Sequence, residues 1–186
     1  MKTIENKVKN ELIINKSKFI TIIEPITDIK NVEEVLKNYQ NIFNDATHIC
    51  YAYILDSKKK MSDDKEPSGT AGLPILSVLE KNDLTNVLAV VIRYFSGIKL
   101  GSRGLIRAYS NSVKEALKIT SLIEYVLYKE LTINFSYEEE KQINYLLDEN
   151  IKIINKAYLT AIIYSLLIPE NIYDNSVKIL NSYIEK

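Results

Sequence analysis

The chain has 186 residues, 46% of them apolar, with 24 acidic and 24 basic side chains that cancel to a formal charge of zero. That length holds one large domain or two small ones with real cores, and the neutral balance excludes a chain-wide field that would draw the molecule to nucleic acid or an anionic membrane. The aliphatic run Leu88 to Ile92 is far short of the roughly 20 residues of a membrane helix, Met1 to Glu11 is too charged for a signal peptide, and the single cysteine, Cys50, suits a reducing cytoplasm.

Lys7 to Ile14 and Lys18 to Ile23 read as two strands around an Asn15-Lys16 turn, because β-branched residues are dense on either side of turn formers. Thr27 or Asp28 can cap a helix to about Tyr39, with Ile29, Val32, Val35 and Leu36 at helical spacing. Ala46 to Leu55 is the next strand, its face formed by His48, Cys50, Ala52 and Ile54. Asp56 to Gly72 reads as a polar loop, and Pro74 fits the first turn of a short helix to Lys81. Asn86 to Tyr94 is almost wholly apolar, as expected of a strand covered on both faces and central in its sheet.

After a loop from Phe95, Ser102 is the expected N-cap of a helix to about Thr120. Leu105, Tyr109, Val113, Ala116 and Leu117 form its apolar stripe, and Arg103, Arg107, Asn111, Lys114 and Lys118 its polar side. A second unit follows: a strand from Tyr125 to Phe135, a capping box at Ser136 and Glu139 opening a helix to about Asn150, strands at Ile151 to Tyr158 and Thr160 to Ile168, and a helix from Glu170 to Ile184. The order β-α-β-β-α is that of a ferredoxin-like unit without its last strand. The fold class is α+β, with domains at 1–120 and 121–186.

All five glycines, Gly69, Gly72, Gly97, Gly101 and Gly104, and all three arginines, Arg93, Arg103 and Arg107, fall in one window, against 21 lysines spread along the chain. Two loops in that window carry chemistry. In the first, Ser62 to Gly72, the carboxylates Asp63, Asp64 and Glu66 stand beside Pro67, Ser68, Gly69, Thr70 and Gly72. Such oxygens suit a hard cation such as Mg²⁺, and composition equally permits a solvated acidic turn that caps the helix at Pro74.

The second loop runs from Arg93 to Tyr109, in a stretch with no acid between Asp83 and Glu115. A glycine-bearing loop entering a helix offers free N–H groups and a positive dipole end to phosphate. The spacing of Gly97, Gly101 and Gly104 matches neither the Walker A nor the GxGxxG pattern, so a nucleotide kinase is disfavoured. Tyr94 and Phe95 stand at the loop mouth, where a base could stack. His48 and Cys50 share a strand face and read as core, since no third residue orients them as base and nucleophile.

Asp63-Asp64-Lys65-Glu66-Pro67-Ser68-Gly69-Thr70-Ala71-Gly72 with Pro74-Ile75-Leu76, followed by Arg93-Tyr94-Phe95 through Arg107-Ala108-Tyr109, closely resembles the signature of the IMPACT/YigZ family. The likeness runs from Lys16 to about Thr120 and includes Lys18-Phe19-Ile20 and His48-Ile49-Cys50-Tyr51-Ala52-Tyr53. It implies a UPF0029-type first domain of the ribosomal-protein-S5 domain 2-like class. It implies for the second a ferredoxin-like domain similar to the last domain of elongation factor G, and a context in translation. The N-terminal interaction domain of the eukaryotic relatives has no counterpart in this sequence, so their kinase-linked regulation is not carried over. Where the family usually has glycine, this chain has Lys65, Ser96 and Arg103.

The leading expectation is a non-enzymatic, cytoplasmic regulator without cofactor that grips RNA, the ribosome or another phosphate-rich partner. Its cations would be Arg93, Lys99, Arg103, Arg107 and Lys114, with Tyr94 and the glycines shaping the loop and Asp63, Asp64 and Glu66 fixing it through ion pairs. The alternative is an enzyme on a phosphorylated substrate or nucleotide, its acidic loop holding Mg²⁺. A third reading is a protein partner docking on the C-terminal sheet edge left by the absent strand.

Overall fold

The computed structural model describes residues 1–184. The chain divides into two compact units, one from Met1 to Tyr125 and the other from Val126 onward.

In the first unit, strands β1 (Lys2–Ile4), β2 (Val8–Ile14) and β3 (Ser17–Pro25) precede helix α1 (Ile29–Ile42). Strands β4 (His48–Leu55) and β5 (Lys58–Ser62), helix α2 (Gly72–Lys81), strand β6 (Val87–Tyr94), helix α3 (Gly101–Lys118) and strand β7 (Leu122–Glu124) follow. The main sheet has the order β2-β3-β6-β4-β5 and is antiparallel throughout. The apolar run of β6 thus takes the central position expected of it, buried from Val87 to Arg93.

Strand alternation sends the β6 side chains to two cores. Val87, Ala89 and Val91 meet α2 and α3 in one cluster with Cys50, Ala52, Ile75, Tyr109 and Val113. Leu88, Val90 and Ile92 meet α1 in the other, with Val32, Tyr39 and Tyr53. Asp28 caps α1, its carboxylate accepting from the Asn31 N–H at 2.9 Å.

Two elements of this unit depart from the sequence reading. Lys58–Ser62 is an edge strand rather than loop, paired with β4 from Tyr51↔Ser62 to Leu55↔Lys58. Its exposed lysines keep the free edge of the sheet soluble. The chain start also pairs with residues far along the sequence, Lys2↔Glu124 to Ile4↔Leu122, which no local pattern announces.

In the second unit, β8 (Tyr128–Phe135), α4 (Glu140–Leu146), β9 (Lys152–Tyr158), β10 (Ile162–Pro169) and α5 (Glu170–Leu180) form an antiparallel sheet of order β8-β10-β9 with two helices. Its core gathers Ile133, Phe135, Ile143, Ile162, Tyr164, Leu166 and Ile168. The capping box is present, Glu139 accepting from the Ser136 N–H at 2.8 Å.

The helix it opens ends at Leu146 rather than near Asn150, because Leu147 is extended and Asp148 accepts the Asn150 N–H at 2.9 Å in a local turn. Ile184 makes an isolated antiparallel bridge to Ile133, on the edge of β8 that β10 leaves free, so the chain itself covers part of the expected docking edge. Among the described residues no helix is long and apolar enough to cross a membrane.

Candidate functional site

The acidic loop is held by its own backbone. Asp63 Oδ1 accepts from the N–H groups of Ala71 at 2.9 Å and Gly72 at 2.8 Å, and Oδ2 from Gly69 at 2.9 Å. Burial alone would raise the Asp63 carboxyl, but the Gly69, Gly72 and Ala71 bonds outweigh it and hold the group below its ordinary value. Asp64 Oδ2 accepts the Ile49 N–H at 2.6 Å, which ties the loop to β4. Thr70 closes a turn on the Pro67 carbonyl, Oγ1 donating at 2.6 Å. Gly72 is required where α2 begins, since a Cβ there would stand 2.9 Å from the Ser62 backbone.

These carboxylates do not converge. Asp63 and Asp64 bind main-chain donors instead of making the ion pairs expected of them, and only Glu66 salt-bridges an arginine. Among the described residues no three His, Cys, Asp or Glu side chains form a metal-holding group. The loop is a cap for α2 and a mount for Glu66.

Glu66 joins the two signature segments. Its Oε1 accepts from Arg93 Nη1 at 2.6 Å and from the Tyr109 hydroxyl at 2.8 Å. Arg93 was expected on the exposed cationic surface but is only 4% exposed. Its guanidinium lies between two rings, 5.5 Å from the centroid of Phe19 and 5.2 Å from that of Phe95. Its Nε is buried without a hydrogen-bond partner. Tyr109 is fully buried edge-to-face on Phe19 at 5.4 Å. Burial pushes its hydroxyl well above the usual range, with nearby Cys50 and Glu66 adding to the shift.

His48 Nδ1 lies 2.7 Å from the Asp64 carbonyl oxygen. A carbonyl only accepts, so Nδ1 carries the proton and Nε2 is turned toward Glu66 Oε1, 3.8 Å away. Cys50 Sγ is 3.0 Å from the Asp63 carbonyl oxygen and 3.4 Å from the Tyr109 hydroxyl. Burial, against the opposing Tyr109 hydrogen bond and with Glu66, Asp64 and Asp63 nearby, pushes its thiol up to about 12, so it remains protonated core rather than a nucleophile.

A cleft of about 380 Å³ opens over this network, walled by Thr47, His48, Glu66, Pro67 and Arg93 on the sheet side. Phe95, Lys99, Leu100, Gly101, Ser102 and Leu105 form its other wall. The N-terminus of α3 thus lies on the cleft. Contrary to expectation Ser102 is not the cap: the N-cap is Leu100, no side chain caps the helix, and its first turn holds no acid. Gly101 takes φ +67, a turn into the helix that suits glycine.

The remaining expected residues separate. Arg103, Arg107 and Lys114 are exposed on the outer face of α3, and Lys99 is exposed before it. None of the four makes an ion pair among the described residues, whereas Lys118 pairs with Glu115 at 2.6 Å. Arg107 and Gly104 border a second groove with Ile14, Asn15 and Asn111. Gly97 takes φ +90 in the loop before the helix, and Pro67 and Ser68 are exposed.

Tyr94 lies on the opposite face of β6, its hydroxyl donating to Asp45 at 2.9 Å and its ring under Lys18 at 4.8 Å. Of the two aromatics at the loop mouth, only Phe95 reaches the cleft. The burial of Arg93 was readable from the alternation of β6, which puts it on the same face as Val91 and Ala89.

Residues 15–117 match the family model described as the Impact N-terminal domain. The IMPACT family member YvyE of Bacillus subtilis is 42% identical over 125 residues, which cover 66% of this chain and 58% of that protein. This chain therefore spans less than two thirds of that relative. The IMPACT family member YigZ of Escherichia coli is 32% identical over 162 residues, covering 84% of this chain and 79% of that protein. A crystal structure described as that of a hypothetical protein superposes with a TM-score of 0.69 at 28% identity, covering 97% of this chain and 91% of that one. With matching motifs, a mixed α/β architecture and relatives above 30% identity over most of its length, this chain belongs to the IMPACT family.

Proposed function

We propose that this protein is a non-enzymatic, translation-associated regulator that binds RNA or a phosphate-rich ribosomal surface in the cytoplasm. Its grip is the exposed cationic segment formed by Lys99 and the outer face of α3, with Arg103, Arg107 and Lys114. Arg93 is buried in the wall behind that segment and is not part of its exposed face. The observation that carries the reading is three exposed cations on a helix whose opposite face is locked into the core, with Lys99 exposed just before it, all four free of ion pairs among the described residues. Family membership supports the translation context.

In this reading the first domain, to about residue 120, is of the ribosomal-protein-S5 domain 2-like class. The second, from about 121, is ferredoxin-like and resembles the last domain of elongation factor G. Support comes from the five-stranded antiparallel sheet of the first unit and from the β-α-β-β-α order of the second, with strands in the order β8-β10-β9. The alternative Mg²⁺ enzyme loses ground because Asp63 and Asp64 are engaged by backbone donors.

The test is binding of labelled RNA and of ribosomes at a series of salt concentrations, beside an Arg103→Ala/Arg107→Ala variant. Each phosphate contact on a single strand contributes a slope of about −0.7 in log affinity against log salt, so losing two flattens the slope by roughly 1.4. Binding that ignores salt, or a variant with an unchanged slope, would refute the reading.

A further inference from the structure

We infer that the cleft between His48, Arg93 and the start of α3 binds a terminal phosphate monoester on a sugar that carries a planar base, the chemistry of a nucleoside 5′-monophosphate. This site is distinct from the outer face of α3 and does not depend on the reading given for that face.

Three independent features converge on it. First, α3 presents its N-terminus to the cleft through Leu100, Gly101 and Ser102, with no capping side chain and no acid in its first turn. The first N–H groups of an 18-residue helix therefore face the cleft without an internal partner, at the positive end of the dipole.

Second, Arg93 lines the same cleft, is 4% exposed, and keeps a buried Nε that no acceptor satisfies. The guanidinium is opposed by a single carboxylate and leaves a donor unpaired, so it keeps positive charge for an anion seated in the cleft that Arg93 lines. The Glu66 carboxylate in that wall is opposed by Arg93 at 2.6 Å, so Lys99 and the helix end leave the lining positive in balance.

Third, Phe95 is 41% exposed at the lip and already stacks one face near the Arg93 guanidinium, 5.2 Å from its centroid. An aromatic ring beside a phosphate site gives a base a surface on which to stack. Leu100, Leu105 and Pro67 supply apolar lining around it. The volume of about 380 Å³ lies at the small end of ligand sites, which span about 300 to 1,000 Å³. It fits one nucleotide unit rather than a strand passing through. His48 also lines the cleft, its ring held by the Nδ1 hydrogen bond to the Asp64 carbonyl.

The phosphate can come from a free mononucleotide or from the 5′ end of an RNA, and the experiment separates the two. Backbone amide NMR of the full chain is recorded with adenosine 5′-monophosphate and with adenosine. Affinity is measured for one RNA sequence carrying either a 5′-phosphate or a 5′-hydroxyl. Each measurement is repeated on Ser102→Asp, which places a carboxylate in the first turn of α3, where the helix dipole favours it, so the melting temperature does not fall.

The monophosphate, and not adenosine, shifts the amides of Gly101 and Ser102, and Ser102→Asp weakens this at least about tenfold while remaining folded. A matching preference for 5′-phosphorylated RNA, lost in Ser102→Asp, assigns the RNA end as the source. Mononucleotide binding with no such preference assigns the free nucleotide. No amide shift with the monophosphate together with equal affinity for the two RNA ends overturns the proposal. Unaltered affinity in folded Ser102→Asp overturns it too. Neither result touches the outer face of α3, whose failure is read separately from Arg103→Ala/Arg107→Ala.

Discussion

Arg93 and Arg107 lie 14 positions apart in one acid-free segment, yet they sit in opposite physical situations. Arg93 is sealed between Phe19 and Phe95 and salt-bridged to a buried carboxylate, whereas Arg107 stands in solvent with no ion pair among the described residues. The difference comes from what faces each side chain: β6 alternation points Arg93 at the loop that delivers Glu66, while the helical period turns Arg107 away from the core. A run of cations in a sequence is therefore not one surface. Here it is a structural rivet followed by a free binding face.

The largest loss of stability is expected at Glu66. Glu66→Ala leaves Arg93 as an uncompensated buried charge and removes the acceptor of Tyr109, so unfolding in urea should come earlier by about 3–5 kcal/mol. The paired change Arg103→Ala/Arg107→Ala should stay within about 0.5 kcal/mol of the parent, because exposed side chains without partners contribute little to stability. If the two variants melt alike, the division into rivet and face is wrong.

Much of this was legible in the sequence where the signal was local. The apolar stripe of α3, the central place of β6 and the capping box at Ser136 follow from periodicity and cap chemistry. What escaped depended on partners far along the chain. The pairing of Lys2–Ile4 with Leu122–Glu124 has no local signature, and Glu66 reaches Arg93 across 27 positions. Lys58–Ser62 looked like loop because an edge strand carries its lysines outward, and an edge is defined only once the sheet exists. The cleft was half legible: its glycine-bearing helix start was visible, but the uncapped Leu100, the turned-away Tyr94 and the part of His48 became apparent only in three dimensions.

Loosening the mount while leaving the rivet's own atoms in place should cost less. Asp63→Ala deletes the acceptor of three backbone N–H groups at the start of α2 and should cost about 1–2 kcal/mol near neutral pH. The Asp63 carboxyl is held below its ordinary value in the folded protein. Its contribution is therefore fully present above the unfolded value of 3.8 and fades as pH falls through that value toward the folded one. Urea melts of parent and variant at pH 7 and pH 3 should show the gap between them narrowing in acid. An equal gap at both would mean that the carboxylate's charge is not what holds the loop.

A smaller effect than that of Asp63 is expected at Lys65, between the mount and the rivet. Lys65 adopts φ +67 and Asp64 before it φ +39, so two consecutive side-chain-bearing residues occupy the left-handed region. That conformation costs a residue with a Cβ about 1–2 kcal/mol, and glycine adopts it freely. Glycine also has more freedom to lose from the unfolded chain, about 0.5–1 kcal/mol, so Lys65→Gly should raise stability by a net of roughly 0.5–1 kcal/mol. The Lys65 side chain is exposed and makes no ion pair among the described residues, so no contact offsets the gain. The same substitution should leave the salt slope of RNA binding unchanged, since Lys65 lies outside the α3 face. A loss of stability would show that the loop needs its lysine, and a changed slope would extend the binding face across the acidic loop. Gain without a change of slope would show that the mount carries removable strain that the binding face does not use.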